Sequence, residues 1–212
     1  MTDEFLERLV SDLRPVGKAP VLRRLGIGLL AGSTLAFAGV VLLLGLRPDM
    51  WFAIRSAMFW VRLAYTLTFA GLGLWCIEKL ARPAGDARRR LPWLLAPFAA
   101  IGILAALQMY LAPAPMRAQM MMGEPASACP WCILLVSLPV FAGLVWAMRG
   151  LAPTRLRIAG AVAGLTAGAA GASLYALHSP ESTAPFIAIW YTLGILLVGA
   201  LGAVLGPRVL RW

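Results

Sequence analysis

Residues Leu25–Leu46, LGIGLLAGSTLAFAGVVLLLGL, decide the fold class. No charged side chain interrupts this run, and a helix crossing ~30 Å of hydrocarbon needs roughly 20 predominantly apolar residues. Five further stretches of the same kind follow: Phe59–Leu80, Trp93–Leu111, Trp131–Met148, Ile158–Leu177 and Pro185–Leu205. The interruptions carry loop chemistry: LRPD, ARPAGD, APAP, RGLAPT and HSPES in turn. No cleavable leader is expected before the first span, because the first 20 residues are polar and charged and the first apolar run is full length. The expected fold is all-α. Six transmembrane helices form one bundle over residues 25–212, preceded by a polar segment, residues 1–24.

Composition agrees. Apolar residues make up 61% of the 212, 21 glycines come on top, and charged residues supply only 13%. A soluble domain carries about twice that charge. Disordered, collagenous and ordinary water-soluble chains are thereby excluded. The net charge of +10 would suggest nucleic acid in a soluble protein, but its distribution says otherwise. The N-terminal segment, the second and fourth connections and the C-terminus hold 15 basic residues, against 4 (Arg47, Arg55, Arg62 and Arg117) on the opposite side. By the positive-inside rule both termini are expected to face the cytoplasm. The surplus is an orientation device and a contact for anionic lipid headgroups, not a nucleic-acid interface.

The spans hold almost no ionisable groups. Arg62 and the Glu78–Lys79 pair sit near the ends of span two, where snorkelling to the interface is expected. No mid-membrane acid offers a proton relay, and no internal repeat suggests a transporter. Gly160, Gly164 and Gly168, with Gly202 and Gly206, recur at a spacing of four. That pattern predicts close packing within the bundle rather than a dimer face.

Within residues 1–24, Thr2–Leu13 reads as an amphipathic helix. Phe5, Leu6, Leu9, Val10 and Leu13 share one stripe, and Pro15 ends the helix after Arg14. It has two readings: an interfacial helix on the bilayer, or a helix awaiting a protein groove. Its polar face holds four acids and one arginine, the wrong sign for anionic lipid, which favours the protein groove.

On the outer side the third connection carries Met116, Met120, Met121 and Met122, followed by Cys129-Pro130-Trp131-Cys132 at the mouth of span four. The fifth connection carries the sole histidine, His178. Methionines there are apolar filler or soft ligands, and a loop histidine is solvated or a ligand. The C-x-x-C pair is able to close reversibly. Together Cys129, Cys132 and His178 offer three soft ligands for transient copper, zinc or cadmium, too few for a closed structural zinc site. Cys76 lies most of a bilayer away from the pair and is expected to be a small buried hydrophobe.

The chain resembles the six-span anti-sigma factors called negative regulator of sigma F. The resemblance rests on LVSDLRPV (Leu9–Val16), LGLRPD (Leu44–Asp49), Cys129 eight residues before Ser137-Leu138-Pro139, and Ala176-Leu177-His178. Phe186 through Trp190-Tyr191 and the closing LGPRVLRW (Leu205–Trp212) complete it. It implies a regulator rather than an enzyme, with no required cofactor. It further implies a cytoplasmic N-terminus, here Phe5, Leu6, Leu9, Val10, Leu13, Arg14 and Pro15, that holds an extracytoplasmic-function sigma factor. External cysteines would report metal or oxidative stress. The family pattern places a second cysteine directly after the histidine of the fifth connection, where this sequence has Ser179. Either Cys132 substitutes as the nearer partner of Cys129, or the sensing chemistry is altered or lost.

A rival class is the quinone-linked disulfide-bond enzymes, whose C-P-x-C-I loop Cys129–Ile133 is similar to. Such an enzyme relays oxidation through a second external cysteine pair, which a chain of three cysteines lacks. Copper handling through the methionines is the third reading.

Overall fold

The computed structural model describes residues 18–82, 85–123, 126–151, 153–181 and 183–211. Among them there is no strand, and six helices are long and apolar enough to cross a membrane. Helix α1 spans Lys18–Gly39 and ends in a wide π turn, Val40–Leu44; α2 is the short Met50–Ala53, and α3 is Ala57–Leu80. Helix α4 covers Leu91–Leu111, its first turn 3-10, and α5 is Ala114–Met122. Helices α6, Cys129–Arg149, and α7, Leu156–Tyr175, are followed by α8, Ala184–Val209, which contains a second π turn at Ile187–Tyr191. Five of the six long helices match the expected spans to within four residues at each end, whereas α1 begins seven residues before Leu25, inside the segment expected to precede the bundle.

Two departures have local causes. The third connection, expected to be a loop, contains α5. Pro115 falls in its first turn, where the missing N–H has no partner to lose, so the proline starts a helix instead of breaking one. Gly123, at φ +47°, ends it. The expected snorkelling from span two does not occur either. Arg62 is fully buried and Glu78 nearly so, both turned into the bundle.

Helix α7 is the axis of the bundle, packing against α3, α6 and α8, while α1 lies along α6. Glycines set these distances. A Cβ on Gly160 would stand 2.7 Å from the Gly206 Cα, and one on Gly206 would stand 2.5 Å from the Leu156 carbonyl oxygen. The α1–α6 seam is similar: a Cβ on Gly32 would lie 2.7 Å from the Val140 Cα. The fourfold glycine spacing thus serves packing inside one chain, where dispersion between close backbones replaces the hydrophobic driving force that lipid removes. Polar side chains within the spans find partners. Ser173 Oγ donates to Thr66 Oγ1 at 2.8 Å between α7 and α3, and Tyr65 and Thr192 hydroxyls meet at 2.8 Å between α3 and α8.

Alternation of the helices sorts their ends into two faces. One face gathers the start of α1 (Arg23, Arg24), the end of α3, the start of α4, the end of α6 and both ends that flank α7–α8 on that side. Its basic groups are tied down locally. Arg82 and Arg90 reach Glu78 at 2.8 and 2.9 Å, Arg155 reaches Asp86 at 3.4 Å, Arg149 binds the Val209 carbonyl, and Arg24 stacks over Trp146. The other face gathers the cysteine pair, α5 and the fifth connection.

Candidate functional site

The C-x-x-C motif is the first turn of α6. Pro130 suits that turn, and the Cys132 N–H already donates to the Ala128 carbonyl at 3.0 Å, so Cys129 and Cys132 stand one helical turn apart. Helix geometry puts such Cα atoms roughly 5 Å apart, inside the span of about 4.4–6.8 Å that a disulfide bridges. Both are free thiols, Cys129 buried and Cys132 half-buried. Cys76, also free, is buried in α3 and plays the packing part expected of it.

Aromatic rings wall the thiols. Tyr175, the last residue of α7, neighbours both of them, and Tyr191 neighbours Cys129. The Tyr175 and Tyr191 rings pack 6.0 Å apart, and Phe186 meets Tyr191 at 6.4 Å. The π turn widens α8 where Tyr191 enters the core. Single π turns of this kind recur at functional sites.

Arg62 sits above this cluster, and its role was not apparent from sequence. Its guanidinium donates to the carbonyls of Ala176 (2.8 Å), Ser179 (3.3 Å) and Glu181 (2.5 Å) and to the Tyr191 hydroxyl (3.3 Å). Its cation also lies over the Phe59 and Tyr191 rings. None of these partners is a carboxylate. The charge is solvated by backbone dipoles and π faces, an arrangement that suits the planar five-donor fork of arginine and not lysine. A single side chain of α3 thereby fixes the whole fifth connection between α7 and α8. The one sequence signal was an arginine inside an apolar run, and intramembrane ionisable groups are functional candidates by default.

His178 is half-buried and does not join the two thiols in a three-ligand cluster. Its Nδ1 pairs with the Gly45 carbonyl at 2.9 Å, and its ring packs against Tyr175 at 5.7 Å. Gly45 adopts φ +76°, which aims that turn at the histidine without Cβ strain. Arg47 strengthens the junction: its backbone N–H donates to the Leu177 carbonyl, its side chain reaches the Ser179 carbonyl, and it forms a forked pair with Asp49. That hydrogen-bonded pairing holds the Asp49 carboxyl below its ordinary range. Ser179, at the family's second cysteine position, is buried beneath these two arginines.

Among the described residues no three His, Cys, Asp or Glu side chains lie close enough to hold a metal ion. The arrangement therefore brings together Cys129 and Cys132 and leaves His178 on the neighbouring turn. Met120 and Met121 lend only their carbonyls, to Thr183 and Trp190, which dock α5 on the start of α8. Phe5, Leu6, Leu9, Val10, Leu13, Arg14 and Pro15 lie outside the described residues.

What the geometry offers is a dithiol at one end of the bundle, mechanically joined to α1, α3, α7 and α8. Comparison with known proteins gives it a family. No solved structure matches the chain. A protein of Azospira oryzae named probable anti-sigma-F factor is 34% identical over 211 residues, covering 100% of this chain and 99% of that one. The anti-sigma-F factor of Caulobacter vibrioides is 37% identical over 215 residues, with the same coverage. The family model described as negative regulator of sigma F matches residues 9–212, virtually the entire length, and the chain belongs to that family of regulators.

Proposed function

We propose that this protein is an integral membrane anti-sigma factor with both termini in the cytoplasm. Its N-terminal segment sequesters an extracytoplasmic-function sigma factor, and oxidation of the outer dithiol releases it. Membrane lipid is its other partner, and it touches no nucleic acid directly. The observation that carries the reading is the division of the bundle into two faces. Among the described residues, 13 basic residues of the N-terminal, second, fourth and C-terminal segments fall at one, and Cys129 and Cys132 fall at the other. A signal at the thiols thus has the whole bundle through which to act.

Phe5, Leu6, Leu9, Val10 and Leu13 are the side chains assigned to the sigma factor's groove, with Arg14 and Pro15 setting the exit from the helix. Burying each is worth about 1.5–3 kcal/mol gross, much of it offset by ordering the segment. On the outer side the oxidative branch is favoured over the metal branch, because among the described residues no third His, Cys, Asp or Glu joins the two thiols, which share a helical turn. A soft metal held transiently by the dithiol alone would need further ligands from outside it. The deciding experiment is co-purification of the sigma factor with the membrane-embedded full chain. Leu9→Asp is expected to abolish retention and switch the regulon on constitutively. Retention by a chain lacking residues 1–20 would overturn the assignment and move it to the basic connections.

A further inference from the structure

Between α1 and α6, at the level of the outer half of the bundle, runs a groove of about 350 Å³. Its walls are aliphatic, with Leu35, Gly39 and Leu43 on one side and Leu135 and Pro139 on the other, and Cys132 closes one end. The leucines at its rim are among the most exposed side chains of the molecule, Leu43 at 86% and Leu35 at 65%. Exposed leucines within a transmembrane span face lipid, so the groove opens to hydrocarbon and not to water. Behind Cys132, one turn earlier, is the buried Cys129.

We propose that this groove admits a lipid-soluble two-electron oxidant of the quinone class to Cys132; the inference rests on the reading of the Cys129–Cys132 pair as a redox sensor. Three features select that occupant. No charged side chain lines the groove, so an ionic oxidant gains nothing by entering it. Its volume falls within the range that small ligands occupy. The one residue of reactive chemistry in its wall is Cys132, with a second thiol within disulfide reach, and such a dithiol is the donor a quinone requires. The step balances. The two S–H bonds break and one S–S bond forms, and the pair gives up two electrons and two protons. The quinone takes up both and leaves as the hydroquinone. A phospholipid acyl chain also fits an apolar groove but would leave the thiols unchanged, so chemistry separates the two.

Gly39 provides the test. It has ordinary helical dihedrals, φ −59° and ψ −44°, and a Cβ there would meet nothing within 4 Å. Gly39→Phe therefore plugs the groove without strain, and Leu35→Trp narrows its rim as a second variant. The full-length chain, reduced and embedded in lipid nanodiscs, is mixed anaerobically with decylubiquinone, whose fully substituted ring oxidises thiols but does not alkylate them. Quinone absorbance and the mass of the alkylated Cys129–Cys132 peptide are followed together. The water-soluble oxidant diamide serves as the control. One quinol is expected per disulfide formed. Plugging is expected to slow the quinone reaction by about tenfold or more while leaving the diamide reaction within about twofold. Equal quinone rates in wild type and both variants would overturn the groove as the route. Closure by diamide but not by the quinone would overturn the proposal and leave the sensor reading standing. Closure by neither would remove both.

Discussion

Helix α3 carries a buried charge near each end, and the two are handled in opposite ways. Glu78, near the basic face, is neutralised by ions: Arg82 and Arg90 bracket its carboxylate, both partly exposed, and Arg90 also stacks on Trp75. Arg62, near the thiol face, is neutralised by nothing ionic and leans on three carbonyls, one phenol and two aromatic faces. A carboxylate held between two partly exposed arginines keeps one partner if the other is lost, whereas a charge solvated by fixed dipoles depends on every one of them staying in place. The rim triad anchors a loop. The interior arginine ties the fifth connection to the Tyr191 hydroxyl, so that connection and the aromatic wall of the thiols share one anchor.

The largest expected effect tests that contrast directly. Arg62→Ala strips the Ala176 and Glu181 carbonyls of their arginine donor, at about 1–3 kcal/mol each, leaves the Ser179 carbonyl to Arg47 alone, and should lower thermal stability in detergent by on the order of 3 kcal/mol. Arg62→Lys should recover less than half of it, because an ammonium lacks the fork. Glu78→Gln should cost less, about 1 kcal/mol, since the amide oxygen still accepts from one of the two arginines. A larger loss at Glu78 than at Arg62 would break the comparison.

The scaffold that holds both charges is tested next. Gly202→Val forces a branched side chain into the Gly160–Gly164 backbone and should cost about 1–3 kcal/mol. Gly71→Ala, in helical α3 with open space around it, should instead gain about 0.5–1 kcal/mol. Unfolding midpoints in one detergent check the pair.

At the thiol end, replacing both Cys129 and Cys132 with serine should leave sigma-factor retention unchanged and abolish release by a thiol oxidant, read by a regulon reporter. A normal response in the double variant would separate the thiols from Arg62's mechanical role. The smallest expected effect is at Ser179. The family resemblance implies a cysteine at this buried position of the fifth connection, so Ser179→Cys should give a second disulfide partner for Cys129. Peptide mapping after oxidation should show both a 129–132 and a 129–179 product, with stability little altered. Only the 129–132 product would mean that the fifth connection holds position 179 out of reach.

Much of the molecule is written locally. The length and continuity of each apolar run determine the six spans, because the hydrocarbon thickness a helix must cross depends on nothing beyond that helix. The glycine spacing on α7 and α8 announced a close seam for the same reason, since a fourfold repeat marks one helix face before any partner is known. The C-x-x-C pair was legible too, as its reach is set by one helical turn. The remainder depends on which helices stand side by side. Whether Arg62 snorkels or turns inward is decided by carbonyls more than a hundred residues away at Ala176, Ser179 and Glu181. Where the His178 ring stands is decided by the Gly45 turn, 133 residues earlier, whose carbonyl holds its Nδ1. The Ala-Pro-Ala-Pro stretch signalled a break, yet its prolines open α5, which docks on α8 through Thr183 and Trp190. The groove beside Cys132 belongs to no single segment and exists only where α1 meets α6. Hydrophobic length and period are properties of a stretch of sequence, but the solvation of a buried charge and the shape of a cavity belong to the neighbours that tertiary packing supplies.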